Sequence, residues 1–138
     1  MWDLDASRIA YPLGGQKFEF STMAFGCAIG LTRSIEFLNK VGVENILQYN
    51  RQLADTLIAG LCSRDAVITS PLNDRDRSSI VTAYFKNMDS KAIIKRLKEA
   101  SVFVSNRAGS IRFSPHLYNT CEDIDIVLRE IDSIMTNQ

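Results

Sequence analysis

The chain predicts an α+β fold, a small and largely antiparallel sheet with helices packed on it. Three observations carry this. Short β-branched runs such as Ser79–Phe85 are bounded by polar loops. Longer stretches repeat apolar residues at helical spacing. The two kinds of stretch mix without the strict alternation that builds a parallel sheet.

Residues 1–16, with Tyr11-Pro12-Leu13-Gly14-Gly15, read as a linker or arm, and residues 17–138 as one small domain. A first helix is expected from Ser21 or Thr22, both good caps, to about Lys40, stopping at Gly42. Its first half, with Met23, Ala24, Phe25, Cys27, Ala28 and Ile29, is apolar nearly all round, which calls for cover on more than one side. Gly26 and Gly30, four apart, suggest a close helix contact. A second helix over 44–62 places Ile46, Tyr49, Leu53, Ala54, Leu57, Ile58 and Leu61 on one stripe.

Ala66–Thr69 reads as a short strand, 70–76 as a polar loop and Ser79–Phe85 as the best strand. Asp89 or Ser90 caps a third helix running to about Ala100, with Ile93, Ile94 and Leu97 inward. Val102–Ser105 is expected as a strand, turned by Asn106–Gly109 into a second strand over Ser110–Ser114. Pro115 has no N–H for a sheet ladder and ends that strand. Thr120 with Asp123 three residues on is a cap signature of capping-box type. The helix after it spaces Ile124, Val127, Leu128, Ile131, Ile134 and Met135 along one face.

At 138 residues and 46% hydrophobic content the chain suits one domain with a real core. Sixteen basic and sixteen acidic residues balance, which gives no argument for nucleic acid or an anionic membrane as partner. No apolar run approaches the roughly 20 residues that span a bilayer. The acidic start is unlike a signal peptide. Cys27, Cys62 and Cys121, odd in number and far apart, fit free thiols in a reducing cytoplasm.

The most informative stretch is Arg112-Phe113-Ser114-Pro115-His116-Leu117-Tyr118-Asn119-Thr120. Ile111 and Phe113 alternate with Arg112 and Ser114, so the arginine stands on the face opposite the apolar pair. A guanidinium presents a rigid fork that matches a carboxylate with two parallel hydrogen bonds. Arg107, in the expected hairpin turn, is close enough in sequence to help it or to touch a phosphate. Ser21 and Thr22 at a helix N-terminus offer a hydroxyl and free N–H groups, an anion-binding combination. His116, with no nucleophile or second base in sight, reads as a structural residue whose ring is hydrogen-bonded to hold the turn. Glu122, Asp123, Asp125, Glu130 and Asp132 read as a solvated helix face and not a metal site.

This motif resembles the C-terminal end of the class V aminotransferases, the pyridoxal-phosphate family that includes cysteine desulfurases and isopenicillin N epimerase-like proteins. Lys17-Phe18-Glu19-Phe20-Ser21-Thr22 resembles the family's Arg-Phe-Glu-x-Gly-Thr, and Gly30–Ile46 the helix and turn after it. The resemblance implies that Arg112 binds the substrate α-carboxylate, with Arg107 as a helper. It implies that Ser21 and Thr22 reach the cofactor phosphate across a homodimer. No residue is assigned a catalytic role. In the family the cofactor is held by a lysine that follows a histidine on a large domain. None of Lys17, Lys40, Lys86, Lys91, Lys95 and Lys98 follows a histidine. We therefore expect the small domain of a larger pyridoxal-phosphate enzyme acting on an amino acid, without bound cofactor and inactive alone, its partner the N-terminal large domain. Desulfurases carry a cysteine nucleophile on the loop before the arginine. Here that loop has none, and Cys121 lies beyond Arg112. The alternatives are a free-standing α+β module that binds an amino acid or anion for regulation, and an interaction domain whose first helix docks a partner.

Overall fold

The computed structural model describes residues 13–18 and 24–136. The chain divides into two compact units, Met1–Lys40 and Val41–Gln138. In the first, a 3-10 turn spans Gly14–Phe18, and helix α1 spans Phe25–Val41, its last residue crossing into the second unit. No side chain of α1 is buried. Phe25 is 66% exposed and Ile29 64% exposed. Among the described residues the space beside Gly26 and Gly30 is open, so the close helix contact expected there is not made. The expected helix start at Ser21 or Thr22 lies outside the described residues.

Gly42 separates α1 from helix α2, Val43–Cys62, at a φ of 92°. A side chain at that φ is strained, and its Cβ would meet Asn45 Nδ2 at 2.9 Å. The chain continues through strand β1 (Ala66–Ile68), β2 (Val81–Phe85), helix α3 (Ser90–Glu99), β3 (Ser105–Arg107), β4 (Ser110–Phe113) and helix α4 (Cys121–Thr136). The strands form one antiparallel sheet in the order β1-β2-β4-β3. This is the α+β architecture that the mixed pattern predicts.

The sheet is two-faced because its side chains alternate. Val81, Ala83 and Phe85 of β2 and Ile111 and Phe113 of β4 point into the core. They meet Leu53, Leu57 and Leu61 of α2, Ile93 and Leu97 of α3, and Ile124, Ile131 and Ile134 of α4. All three helices therefore cover one face. Each buried Leu or Ile contributes about 1.5–3 kcal/mol through area removed from water. Salt bridges tie the periphery. Arg64 forks onto Asp132 at 2.6 and 2.5 Å, and Arg77 pairs with Asp55. The Arg64 guanidinium lowers the Asp132 pKa, chiefly through these hydrogen bonds.

Two boundaries differ from the sequence expectation. The strand expected at Val102–Ser105 forms instead at Ser105–Arg107, in register with Arg112 to Ser110. Asn106 and Arg107 are thus strand residues, and the turn is only Ala108-Gly109. Both turn residues have positive φ, 48° and 82°. That pair of angles matches the right-handed twist of a two-residue hairpin. Pairing to β4 outweighs the apolar run, because Val102 is tied back to the end of α3 through its N–H to Leu97 O, 2.8 Å.

Candidate functional site

The second face of the sheet carries the candidate site. Register and alternation put Val67, Thr82, Tyr84, Ser105, Arg107, Ser110 and Arg112 on its outward strand positions. Four bear hydroxyls, two are arginines, one is valine, and none is acidic. Thr69, just past β1, joins the face: its hydroxyl donates to Thr82 Oγ1 at 2.8 Å and lies 3.4 Å from Ser110 Oγ.

Arg112 stands on a central strand, directly across from Thr82 on one side and Ser105 on the other. The alternation with Ile111 and Phe113 holds as the sequence implies, with both neighbours buried. Arg112 Nε is buried and has no hydrogen-bond partner among the described residues. A buried donor left without a partner costs about 1–3 kcal/mol, more when charged. Such a group is set to take an acceptor, and a carboxylate is the acceptor whose shape fits a guanidinium. Arg107 occupies the diagonal position on β3, on the same face, exposed and without an ion-pair partner among the described residues. Structure therefore brings the two sequence-selected arginines together, and it moves Arg107 from a turn onto a strand. Ser21 and Thr22 lie outside the described residues.

The turn after β4 is built by its amides and carboxylate. Asn119 Oδ1 accepts from His116 N–H at 3.0 Å, and Asn119 N–H donates to His116 O at 2.8 Å. Tyr49 of α2 donates its hydroxyl to Asn119 O at 2.7 Å. The capping box closes in both directions: Asp123 Oδ2 accepts from Thr120 N–H at 2.8 Å, and Thr120 Oγ1 from Asp123 N–H at 3.3 Å. The Thr120 N–H, then the Asn119 amide, lower the Asp123 pKa. His116 departs from its expected role. Its Nδ1 is buried without a partner among the described residues, and its ring stacks on Tyr118 with centroids 5.4 Å apart. Asn119 holds the turn in its place, its side-chain oxygen taking the His116 N–H and its own main-chain N–H reaching the His116 carbonyl.

One buried polar residue was not singled out by sequence. Asn50 is 5% exposed and its Oδ1 has no partner among the described residues. Its spacing of three, four and seven residues to Leu53, Ala54 and Leu57 puts it on the core stripe, and that spacing was the available signal.

A cavity of about 540 Å³ opens between Val102–Val104, Pro115, Tyr118 and Val127. The arginines do not line it. Its one acid, Asp123, is already committed to the cap, so the chemistry sits with the sheet face. No group of His, Cys, Asp and Glu among the described residues is arranged to hold a metal ion. All six lysines are exposed, and none occupies a strand position of this sheet. What this chain offers is a seat for an anion.

The family model for aminotransferase class V matches residues 7–127. A probable cysteine desulfurase of Methanothermobacter thermautotrophicus is 25% identical over 150 residues, covering 95% of this chain and 37% of that protein. An uncharacterized aminotransferase of Schizosaccharomyces pombe is 28% identical over 124 residues, covering 89% of this chain and 31% of that protein. Among solved structures, the apo cysteine desulfurase of Thermococcus onnurineus superposes with a TM-score of 0.85 at 19% identity, over 99% of this chain and 38% of that one. The chain thus spans about a third of the length of the curated relatives it matches. With its terminal motif, its antiparallel sheet and a match over most of its length, the chain belongs to the class V aminotransferase family.

Proposed function

We propose that this chain is the small domain of a pyridoxal-phosphate-dependent, aminotransferase-like enzyme, in which Arg112 clamps the α-carboxylate of an amino-acid substrate. The observation that carries the reading is the buried, unpartnered Nε of Arg112 on an acid-free sheet face. The remaining two thirds of the relatives' length supports a large domain as its partner; the homodimer in which Ser21 and Thr22 reach the cofactor phosphate rests on the motif resemblance alone. The cofactor, when bound, supplies an electron sink for the bond broken at the substrate's α-carbon. The domain's own contribution is orientation. Two parallel N–H···O bonds from one guanidinium fix a carboxylate in plane and direction, and so fix which α-substituent faces the reacting centre. Sulfur abstraction is not part of the reading. The turn before Arg112 is Ala108-Gly109, and Cys121 opens α4 beyond it.

The test is Arg112→Ala in the full-length protein. Removing one partner of a desolvated charge pair costs about 2–5 kcal/mol. At about 1.4 kcal/mol per tenfold, kcat/KM falls roughly thirty-fold to several thousand-fold. The cofactor spectrum stays unchanged. The loss falls on an amino acid and spares the matching amine that lacks a carboxylate. Equal losses on both substrates would assign Arg112 to the fold or the cofactor. Lysine at the same place restores only part of the activity, because a point charge lacks the second prong.

A further inference from the structure

We infer that Arg107 is a specificity residue, and that the substrate is an amino acid with a second carboxylate, an acidic amino acid or its keto-acid counterpart. The inference rests on the assignment of Arg112 to the α-carboxylate. It starts from the register. Arg107 pairs with Ser110 and Arg112 with Ser105, so the two arginines are diagonal neighbours on one face of the hairpin. Diagonal residues stand about 7–8 Å apart, within reach of long side chains. Like charges so placed repel, and surface arginines relieve this by pairing with a nearby acid. Neither arginine has such an acid among the described residues. The outward positions of all four strands are hydroxyl, apolar or cationic. Arg33, Arg64 and Arg77 each have a carboxylate partner. Arg51, Arg75, Arg96 and Arg129, outside these strands, also have no carboxylate partner among the described residues, so what marks Arg107 is its place beside Arg112 on one face.

The turn adds a second, independent observation. Arg107 is held in the strand by a two-residue hairpin whose first position is Ala108 at a φ of 48°. That angle is unfavourable for a residue with a Cβ. A looser loop would avoid it and would release Arg107 from its register beside β4. The tight turn instead keeps its Cα in register beside β4. Two forks on one rigid surface, one partly buried and one exposed, suit two anionic groups of one small molecule. The buried fork takes the carboxylate common to all amino acids, and the exposed one reads the distal group. The same cation could instead serve the cofactor's phosphate, and the experiment separates the two.

The experiment uses the full-length protein and compares an acidic amino acid with its amide, which differ by one charge at nearly constant shape. The wild type favours the acid in kcat/KM. Arg107→Gln lowers kcat/KM for the acid by about ten- to a hundred-fold, mostly through KM, and leaves the amide nearly unchanged. Arg112→Ala lowers both. Calorimetry gives a readout without turnover: succinate or glutarate binds more weakly to Arg107→Gln by a similar factor, while propionate does not change. Cofactor retention, followed by its visible absorbance during dialysis, is the same in Arg107→Gln and wild type. Loss of cofactor would place Arg107 on the phosphate and overturn the inference. So would a wild type that does not distinguish acid from amide, or equal losses on both in Arg107→Gln. If Arg112→Ala behaves as expected while Arg107→Gln does not, only this inference fails. If Arg112→Ala spares the α-carboxylate, the reading beneath it fails as well.

Discussion

Helices α1 and α4 are of similar length and both are rich in apolar residues, yet one is bare and the other buries four side chains. In α4 the apolar positions recur every three or four residues, so they converge on one face, and Ile131 is 1% exposed. In α1 they run Phe25, Cys27, Ala28, Ile29 and Leu31 around the whole cylinder, and none is buried. Apolar content gives a helix something to bury, and periodicity decides whether one layer can bury it. The second unit closes a core because each of its elements is one-sided. The first presents a surface that no single sheet face could cover.

The largest effect expected of this contrast lies in the core. Leu53 is fully buried between α2 and the sheet. Leu53→Ala removes both transfer energy and packing and destabilises the chain by about 2–5 kcal/mol. Urea unfolding followed by far-UV circular dichroism reads this as a lower midpoint at unchanged slope. A loss under about 1 kcal/mol would mean that the helix layer is not the cooperative unit.

The start of α4 comes next. Thr120→Ala removes one arm of the capping box and costs about 1 kcal/mol. Asp123 holds the other arm, and its folded pKa is lowered by the Thr120 N–H first and the Asn119 amide second. The Asp132 pKa is lowered by Arg64. A lowered folded pKa gives stability that is fully present above the unfolded carboxylate value of about 3.9. It is lost as pH falls through the folded value. The gap in melting temperature between wild type and Asp123→Asn is therefore constant at neutral pH and shrinks below about pH 4. A gap that widens in acid would mean the carboxylate is not the stabilising form.

These elements were legible in the sequence because their signals are local. Thr120 and Asp123 are three residues apart, and the period-two pattern through Arg112 needs no partner to be read. The antiparallel sheet followed from the same patterns. What sequence misplaced was decided at a distance. Val102-Phe103-Val104 has strand composition, but the strand forms where β4 offers a ladder, from Ser105 to Arg107. Asn50 was not singled out in the sequence, and it is buried on the apolar stripe. His116 looked like the holder of its turn, a task the shorter Asn119 performs with one side-chain and one main-chain bond to His116. The site was half legible. Arg112 was found from its motif, while the shared face with Arg107 depends on a register that only the paired strands define.

A smaller effect tests that register. Ala108 sits at a φ of 48° in the two-residue turn. Glycine there relieves the left-handed strain, about 1–2 kcal/mol, against about 0.5–1 kcal/mol of added chain entropy. Ala108→Gly should thus stabilise the chain by a few tenths to about 1 kcal/mol in thermal unfolding. Destabilisation would mean that the turn has another geometry and that Arg107 is not held beside β4.

The smallest effect on stability is expected in α1, and its value lies in being small. Replacing both Phe25 and Ile29 by serine removes two exposed apolar side chains that contribute nothing to the core. Surface substitutions of this kind usually change stability by no more than about 0.5 kcal/mol each. The melting temperature of this chain should therefore barely move. Its association should change. An exposed apolar patch drives protein–protein contact, so the chain is expected to sediment as a dimer or larger at high concentration and to bind an apolar dye. The double variant should sediment as a monomer with weaker dye binding. If the large domain proposed above covers this patch, the same two residues should matter far more in the full-length protein. Little effect on the chain and a large one on the full-length protein would identify α1 as the seam between them. A fall of several kcal/mol in the isolated chain would mean that α1 is already packed, and the contrast between the two units would be lost.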